Sequence, residues 1–305
     1  MQINSATLNI LRRSFRTLAA LGQQQATPRW PMVAMMAPSS TAENTYGWLK
    51  DIPGMREWVG DRVLQNLSEA EYTVRNKPFE LTVSVKRDHI EDDNLGVYSP
   101  MFSALGSAVA YSPDEIIFDL LIGGFGIKCW DGKSFFAGNH PVKKGVVASN
   151  IGSKKLAASS FEEALAQMQG LKNAADQSLR VFMGEGQQAP LLVVSPKYRA
   201  TARRVVGAEK VNGGEDNVNL GAARIMVLPE MAGVSDDAWF LLDSTFPVKP
   251  LIYQQRKAPE FVALDNPDDP NVFHKREYVY GYDDRKAAGF GFWQLAYGSD
   301  GTTNP

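Results

Sequence analysis

Residues 1 to 42 carry four arginines, Arg12, Arg13, Arg16 and Arg29, and no acidic side chain, whereas the remainder sets 28 basic groups against 34 acidic ones. Such a segment is an electrostatic object of its own. From Ser5 to Leu21 the apolar residues Leu8, Leu11, Phe15 and Leu18 recur at helical spacing, with Arg12, Arg13 and Arg16 toward the other side. The pattern predicts a short amphipathic docking helix. Gln23-Gln24-Gln25, then Pro28, Pro31 and Pro38, make 22–42 read as an extended linker. Three of the six tryptophans, Trp30, Trp48 and Trp58, fall in this arm and the segment after it. Large rings on extended chain need a cover, which either the chain's own core or another subunit must supply.

A length of 305 residues suggests two domains, or one core with long excursions. With 44% hydrophobic and 22% charged residues, and no apolar run near 18 residues, the chain reads as soluble and globular, with no membrane partner. A net charge of -2 argues against a protein that coats nucleic acid over its whole surface. The single cysteine, Cys129, excludes an intramolecular disulfide and fits a reducing place of synthesis.

Arg56 to Leu67 and Tyr72 to Val85 are rich in β-branched and aromatic residues and predict a long β-hairpin, with Pro78 making its second strand an edge or bulged strand. Ser99 to Phe125 is the strongest helical segment, with Phe102, Leu105, Val109, Ile116 and Leu120 on its apolar face. Pro113 leaves open two helices or one kinked helix, and Ser112-Pro113-Asp114-Glu115 has the pattern of a capping box. A second helix is expected over Ser160 to Asp176. Leu191–Val194 reads as a buried strand feeding a helix at Pro196–Val206, and Ala223–Leu228 and Trp239–Leu242 read as further strands. Residues 180 to 247 thus form a compact α/β unit, and Leu251–Leu264 and Phe273–Ala296 are strand-like.

No constellation announces chemistry. His89, His140 and His274 are far apart and none is paired at metal-binding spacing. Cys129 and His140 form a nucleophile and base only if the fold joins them with an orienting acid, and an inert buried thiol is the plainer reading. The stretch from Gly126 to Ser134 has the wrong glycine spacing and context for a phosphate loop, and Gly289-Phe290-Gly291 lacks the third glycine of a dinucleotide fingerprint. The absence of a recognisable cluster favours a structural role.

Several strings are unusual: Thr45-Tyr46-Gly47-Trp48-Leu49, Arg56-Glu57-Trp58-Val59-Gly60-Asp61-Arg62, and Phe79 through Val85 leading into Ile90-Glu91-Asp92-Asp93-Asn94. With Asp131-Gly132-Lys133-Ser134-Phe135-Phe136, Asn139-His140-Pro141-Val142 and Tyr280-Gly281 to Trp293-Gln294-Leu295, they resemble the Mu-like phage major head subunit over nearly the whole chain. The resemblance implies the α+β fold of tailed-phage major capsid proteins. Residues 1–45 would be an N-terminal arm, 46–88 the extended hairpin loop, and 89–180 a peripheral domain with a spine helix at about 98–125. Residues 181–247 would be an axial domain and 248–305 the returning strands of the peripheral domain. It implies no catalytic residue, cofactor or metal. The expected partners are further copies in pentamers and hexamers, portal, scaffold and decoration proteins, and packaged double-stranded DNA. The place of action would be the virion, after assembly in the host bacterial cytoplasm.

On this reading Trp30, Trp48, Trp58 and Arg62 are expected at subunit interfaces, and Arg12, Arg13 and Arg16 toward the DNA. The hairpin turn Ser68-Glu69-Ala70-Glu71 has no lysine for the lysine-to-asparagine cross-link that chains some capsids of this wider fold. An encapsulin-type nanocompartment and an enzyme using Cys129 or the Gly126 loop are the alternatives.

Overall fold

In the computed structural model, which describes residues 5–47, 49, 72–92, 97–211 and 213–305, the amphipathic N-terminal pattern forms α1 (Ser5–Gln25). It runs four residues beyond Leu21, with Gly22 seated against the Ser103 backbone and Gln24 and Gln25 exposed. The expected extended linker is partly ordered into α2 (Trp30–Val33), with Pro31 in its first turn, and β1 (Ala34–Pro38). Next come β2 (Glu43–Thr45), β3 (Thr73–Arg75), β4 (Lys77–Lys86), α3 (Arg87–Glu91) and α4 (Ser99–Ile122). The middle of the chain supplies β5 (His140–Lys143), β6 (Val146–Ala148), β7 (Ile151–Lys154), α5 (Ala158–Gln169), β8 (Leu191–Val194) and α6 (Arg199–Val206). Then follow β9 (Lys210–Val211), β10 (Glu215–Asp216), β11 (Arg224–Val227) and β12 (Trp239–Leu242). The last elements are β13 (Leu251–Leu264), α7 (Pro270–Lys275), β14 (Glu277–Phe290) and β15 (Ala296–Thr303).

Two sheets organise these elements. The first has the order β1-β13-β14-β4, with β1 parallel to β13 and the other pairs antiparallel. The second has the order β11-β8-β12-β15-β7. Its central strands β8 and β12 are buried at every position, as their unbroken apolar runs require. β7 and β15 come from outside 180–247, so this sheet takes in more of the chain than the compact unit read from sequence.

The second strand of the expected hairpin is divided into β3 and β4; among the described residues β4 lies at the edge of its sheet, in keeping with Pro78, and pairs residue for residue with β14 from Lys77↔Lys286 to Lys86↔Glu277. Residues 56–67, read as its first strand, lie outside the described residues, as does the turn at 68–71.

Pro113 neither ends nor divides α4, which is a single helix. The helix spans two apolar clusters. Phe102, Leu105 and Val109 pack with α1 and the β14 tyrosines, while Ile117, Phe118 and Leu121 enter the larger core under both sheets. Burial on both sides of Pro113 stabilises the helix across the missing backbone bond. The buried face beyond Pro113 is Ile117, Phe118 and Leu121, with Ile116 and Leu120 only half-buried. α5 ends seven residues short of Asp176. The Asn173 side-chain oxygen accepts from the backbone N–H groups of Ala175 and Gln177 at 3.0 and 2.9 Å, which holds a turn in place of more helix.

Candidate functional site

The N-terminal helix is bound to its own subunit. Leu8, Leu11, Phe15 and Ala19 are buried, and the Phe15 ring stacks on Phe102 with centroids 3.9 Å apart and meets Tyr280 edge-on at 5.2 Å. α1 crosses α4 at van der Waals distance through two glycines. A Cβ at Gly22 would lie 1.9 Å from the Ser103 carbonyl oxygen, and one at Gly106 1.9 Å from that of Ala19. The Ser107 hydroxyl donates to the Gly22 carbonyl at 3.0 Å across the same crossing.

Arg12, one of the three arginines expected toward the DNA, is paired with Asp265, whose side chain is fully buried. Its Nε donates to Asp265 Oδ2 at 3.0 Å, and its guanidinium also reaches Oδ1. Asp265 holds the guanidinium above its ordinary range, chiefly by the hydrogen bond. This link joins positions 253 residues apart, and no sequence pattern could have revealed it. Arg13 and Arg16 remain exposed along α1.

Trp30 is half-buried on its own core, its ring 4.5 Å from that of Tyr253. Its backbone N–H donates to Asp114 Oδ1 at 2.7 Å, and that of Arg29 donates to the same carboxylate at 3.0 and 2.9 Å. Asp114, read from sequence as part of a capping box for its own helix, therefore caps α2. Ser112 accepts from the buried Lys286 ammonium at 2.7 Å, and Lys286 also donates to Asp284 at 2.6 Å. Trp48, Trp58 and Arg62 lie outside the described residues.

Cys129 and His140 do come together, with Asp131 between them. The three donor atoms lie within 4.8 Å of one another. The Cys129 thiol donates to Asp131 Oδ1 at 3.2 Å, and His140 Nδ1 lies 2.5 Å from Asp131 Oδ2. The order is wrong for nucleophilic catalysis, because the carboxylate separates thiol from imidazole. Burial, and then the Asp131 charge, push the thiol far above its ordinary range, away from a reactive thiolate. The sequence signal was there in one loop, Cys129, Asp131 and His140 within twelve positions, but spacing alone could not say which atoms meet. His89 and His274 are exposed and apart from this cluster.

Comparison with known proteins bears on this assembly of features. The family model described as Mu-like prophage major head subunit gpT matches residues 8–155, 146–231 and 226–304. The chain belongs to the Mu-like major head subunit family. It is 33% identical to the major capsid protein of Escherichia phage Mu over 296 residues, covering 97% of this chain and 74% of the relative. It is 31% identical over 280 residues to the Mu-like prophage FluMu major head subunit of Haemophilus influenzae (strain ATCC 51907 / DSM 11121 / KW20 / Rd), covering 92% and 68%. Among solved structures it is similar to the procapsid of bacteriophage JBD30, at 33% identity and a TM-score of 0.62 over 97% of this chain and 76% of the other. A virus-like particle from Pyrococcus furiosus shares the fold alone, at 11% identity and a TM-score of 0.51 over 94% and 98%.

The family's role is structural: this is a major capsid protein of the Mu-like phage head, built on the α+β capsid fold, and it acts in the virion. Its relatives are phage head proteins, structural and not enzymes, which sets aside both the Cys129 enzyme and the nanocompartment reading. No helix among the described residues is long and apolar enough to cross a membrane.

Proposed function

We propose that the subunits associate as pentamers and hexamers, close into an icosahedral shell and enclose double-stranded DNA. The observation that carries this reading is full-length kinship with phage head proteins, 33% identity over 97% of the chain to a procapsid subunit. The proposed division is the arm at 1–45, extended loop at 46–88, peripheral domain at 89–180 and 248–305, and axial domain at 181–247. Portal, scaffold and decoration proteins are the further partners. Trp30 presents its exposed half, with Trp48, Trp58 and Arg62, to neighbouring copies. Exposed apolar side chains such as Val218 and Phe273, at 86% and 77%, gain cover there too. Arg13 and Arg16 face the packaged phosphates, and Arg12 supports them by fixing α1.

Electron microscopy of the purified chain tests the assembly. Closed shells or rings are expected, and a monodisperse monomer at high concentration would sink the proposal. Reversing charge at Arg13→Glu and Arg16→Glu should lower DNA content or its salt sensitivity. Unchanged genome content would remove the DNA-facing role while leaving the shell in place.

A further inference from the structure

We infer that His140 is held as a doubly protonated imidazolium, ion-paired with Asp131, and that this buried pair fastens the loop from Gly126 to Asn150 to the body of the subunit. The argument starts at Asn150, which is fully buried. Its Nδ2 donates to the carbonyls of Phe135, Ala296 and Trp293 at 2.8, 3.0 and 3.3 Å. Its Oδ1 accepts from the Ala137 N–H at 2.9 Å. Three acceptors on one side and a backbone donor on the other fix which amide atom is oxygen. His140 Nε2 lies 3.1 Å from that oxygen, so Nε2 carries a proton.

The other ring nitrogen faces a carboxylate. Asp131 Oδ1 accepts from the Lys133 N–H at 2.9 Å and from the Cys129 thiol, and Oδ2 meets His140 Nδ1. A carboxyl surrounded by donors is ionised, so Nδ1 carries a proton as well. With both nitrogens donating, the ring is cationic. It lies flat on Trp293, centroids 4.2 Å apart and planes 7° from parallel, which suits a cation over an indole face. Among the described residues, the carboxylate and thiol groups clustered with the ring are Asp131 and Cys129. The thiol is neutral, so the pair buries no net charge.

A metal ion is the competing occupant of the same donors. A zinc ion at about 2.0–2.1 Å from both nitrogen and oxygen would hold them roughly 3 Å or more apart. Nδ1 and Oδ2 are 2.5 Å apart, closer than one zinc ion would hold them and suited to a charge-assisted hydrogen bond. No fourth histidine, cysteine or acid among the described residues completes a tetrahedral set.

Consequently, the ion pair closes Asp131 onto His140 within a loop that carries the fully buried Phe135, and His140 in turn holds Asn150, whose amide ties the loop to the carbonyls of Trp293 and Ala296. The test is ring-nitrogen NMR on the sedimented full chain bearing His89→Gln and His274→Gln. Both replaced histidines are exposed, so His140 remains as the single histidine signal. Two protonated ring nitrogens at neutral pH are expected, and a single-protonated neutral tautomer would overturn the inference. Adding Asp131→Asn should turn the ring neutral. A ring still doubly protonated in that folded variant would show that Asp131 is not its partner. Metal analysis of the unmodified chain should find far less than one zinc per subunit, and stoichiometric zinc lost in Cys129→Ser would replace the proton with a metal.

Discussion

Gly106→Ala isolates the crossing of α1 over α4, because propensity and packing pull in opposite directions there. In a free helix the change stabilises by about 1 kcal/mol. In this subunit the added Cβ would lie 1.9 Å from the Ala19 carbonyl oxygen, which belongs to backbone and cannot rotate away. Ordinary contact is about 3.5 Å, so the helices must part by 1 Å or more. Overpacking of this kind costs about 1–3 kcal/mol, and the Ser107 bond to Gly22 contributes about 1 kcal/mol more as it stretches. The net expectation is destabilisation by about 1–3 kcal/mol, concentrated in α1. Denaturant unfolding with hydrogen exchange over 5–25 reads both quantities. A variant at least as stable as the parent, with α1 amides still protected, would refute the packing argument. Gly22→Ala meets the Ser103 oxygen at the same distance, and the double variant should lose less than the sum, since the first change already opens the crossing.

Asp114→Ala removes the three backbone bonds that start α2 and should cost about 1–2 kcal/mol in the urea midpoint; no shift would mean the cap is idle. Arg12→Ala strands the buried Asp265 carboxylate and should cost about 2 kcal/mol by denaturant unfolding, with early loss of α1 protection; unchanged stability would dismiss the pair as ornamental. Asp131 is held below its ordinary range although burial opposes this, the His140 hydrogen bond being the largest favourable cause. Its contribution is therefore present above that range and lost as pH falls below about 4, so the acid limb of stability should be shallower in Asp131→Asn than in the parent. Particles boiled in detergent should run as one 33.6 kDa band, and a ladder would establish covalent links.

Legibility followed the range over which each residue is determined. β8 and β12 match their expected ends because short apolar runs between turn residues settle them locally, and the longer β13 matches them through the alternation of half-buried and exposed residues along its second part. β15 went unread: Ala296 to Thr303 holds two glycines and an aspartate, and only its place between β12 and β7 makes it a strand. Arg12 and Asp114 carried signals of a different kind. Each offered a sensible local role, a solvated charge or a cap for its own helix, and each is used by a segment far away in sequence. The Cys129 loop was legible in composition but not in connectivity, because hydrogen-bond order depends on where Asn150 and Trp293 stand.

The position of β15 also sets a clock. β12 lacks its second neighbour and β7 has no neighbour in its sheet until Ala296 to Thr303 has been made, so both strands keep open edges until that segment joins them. The segment that joins them therefore decides when the five-stranded sheet is complete.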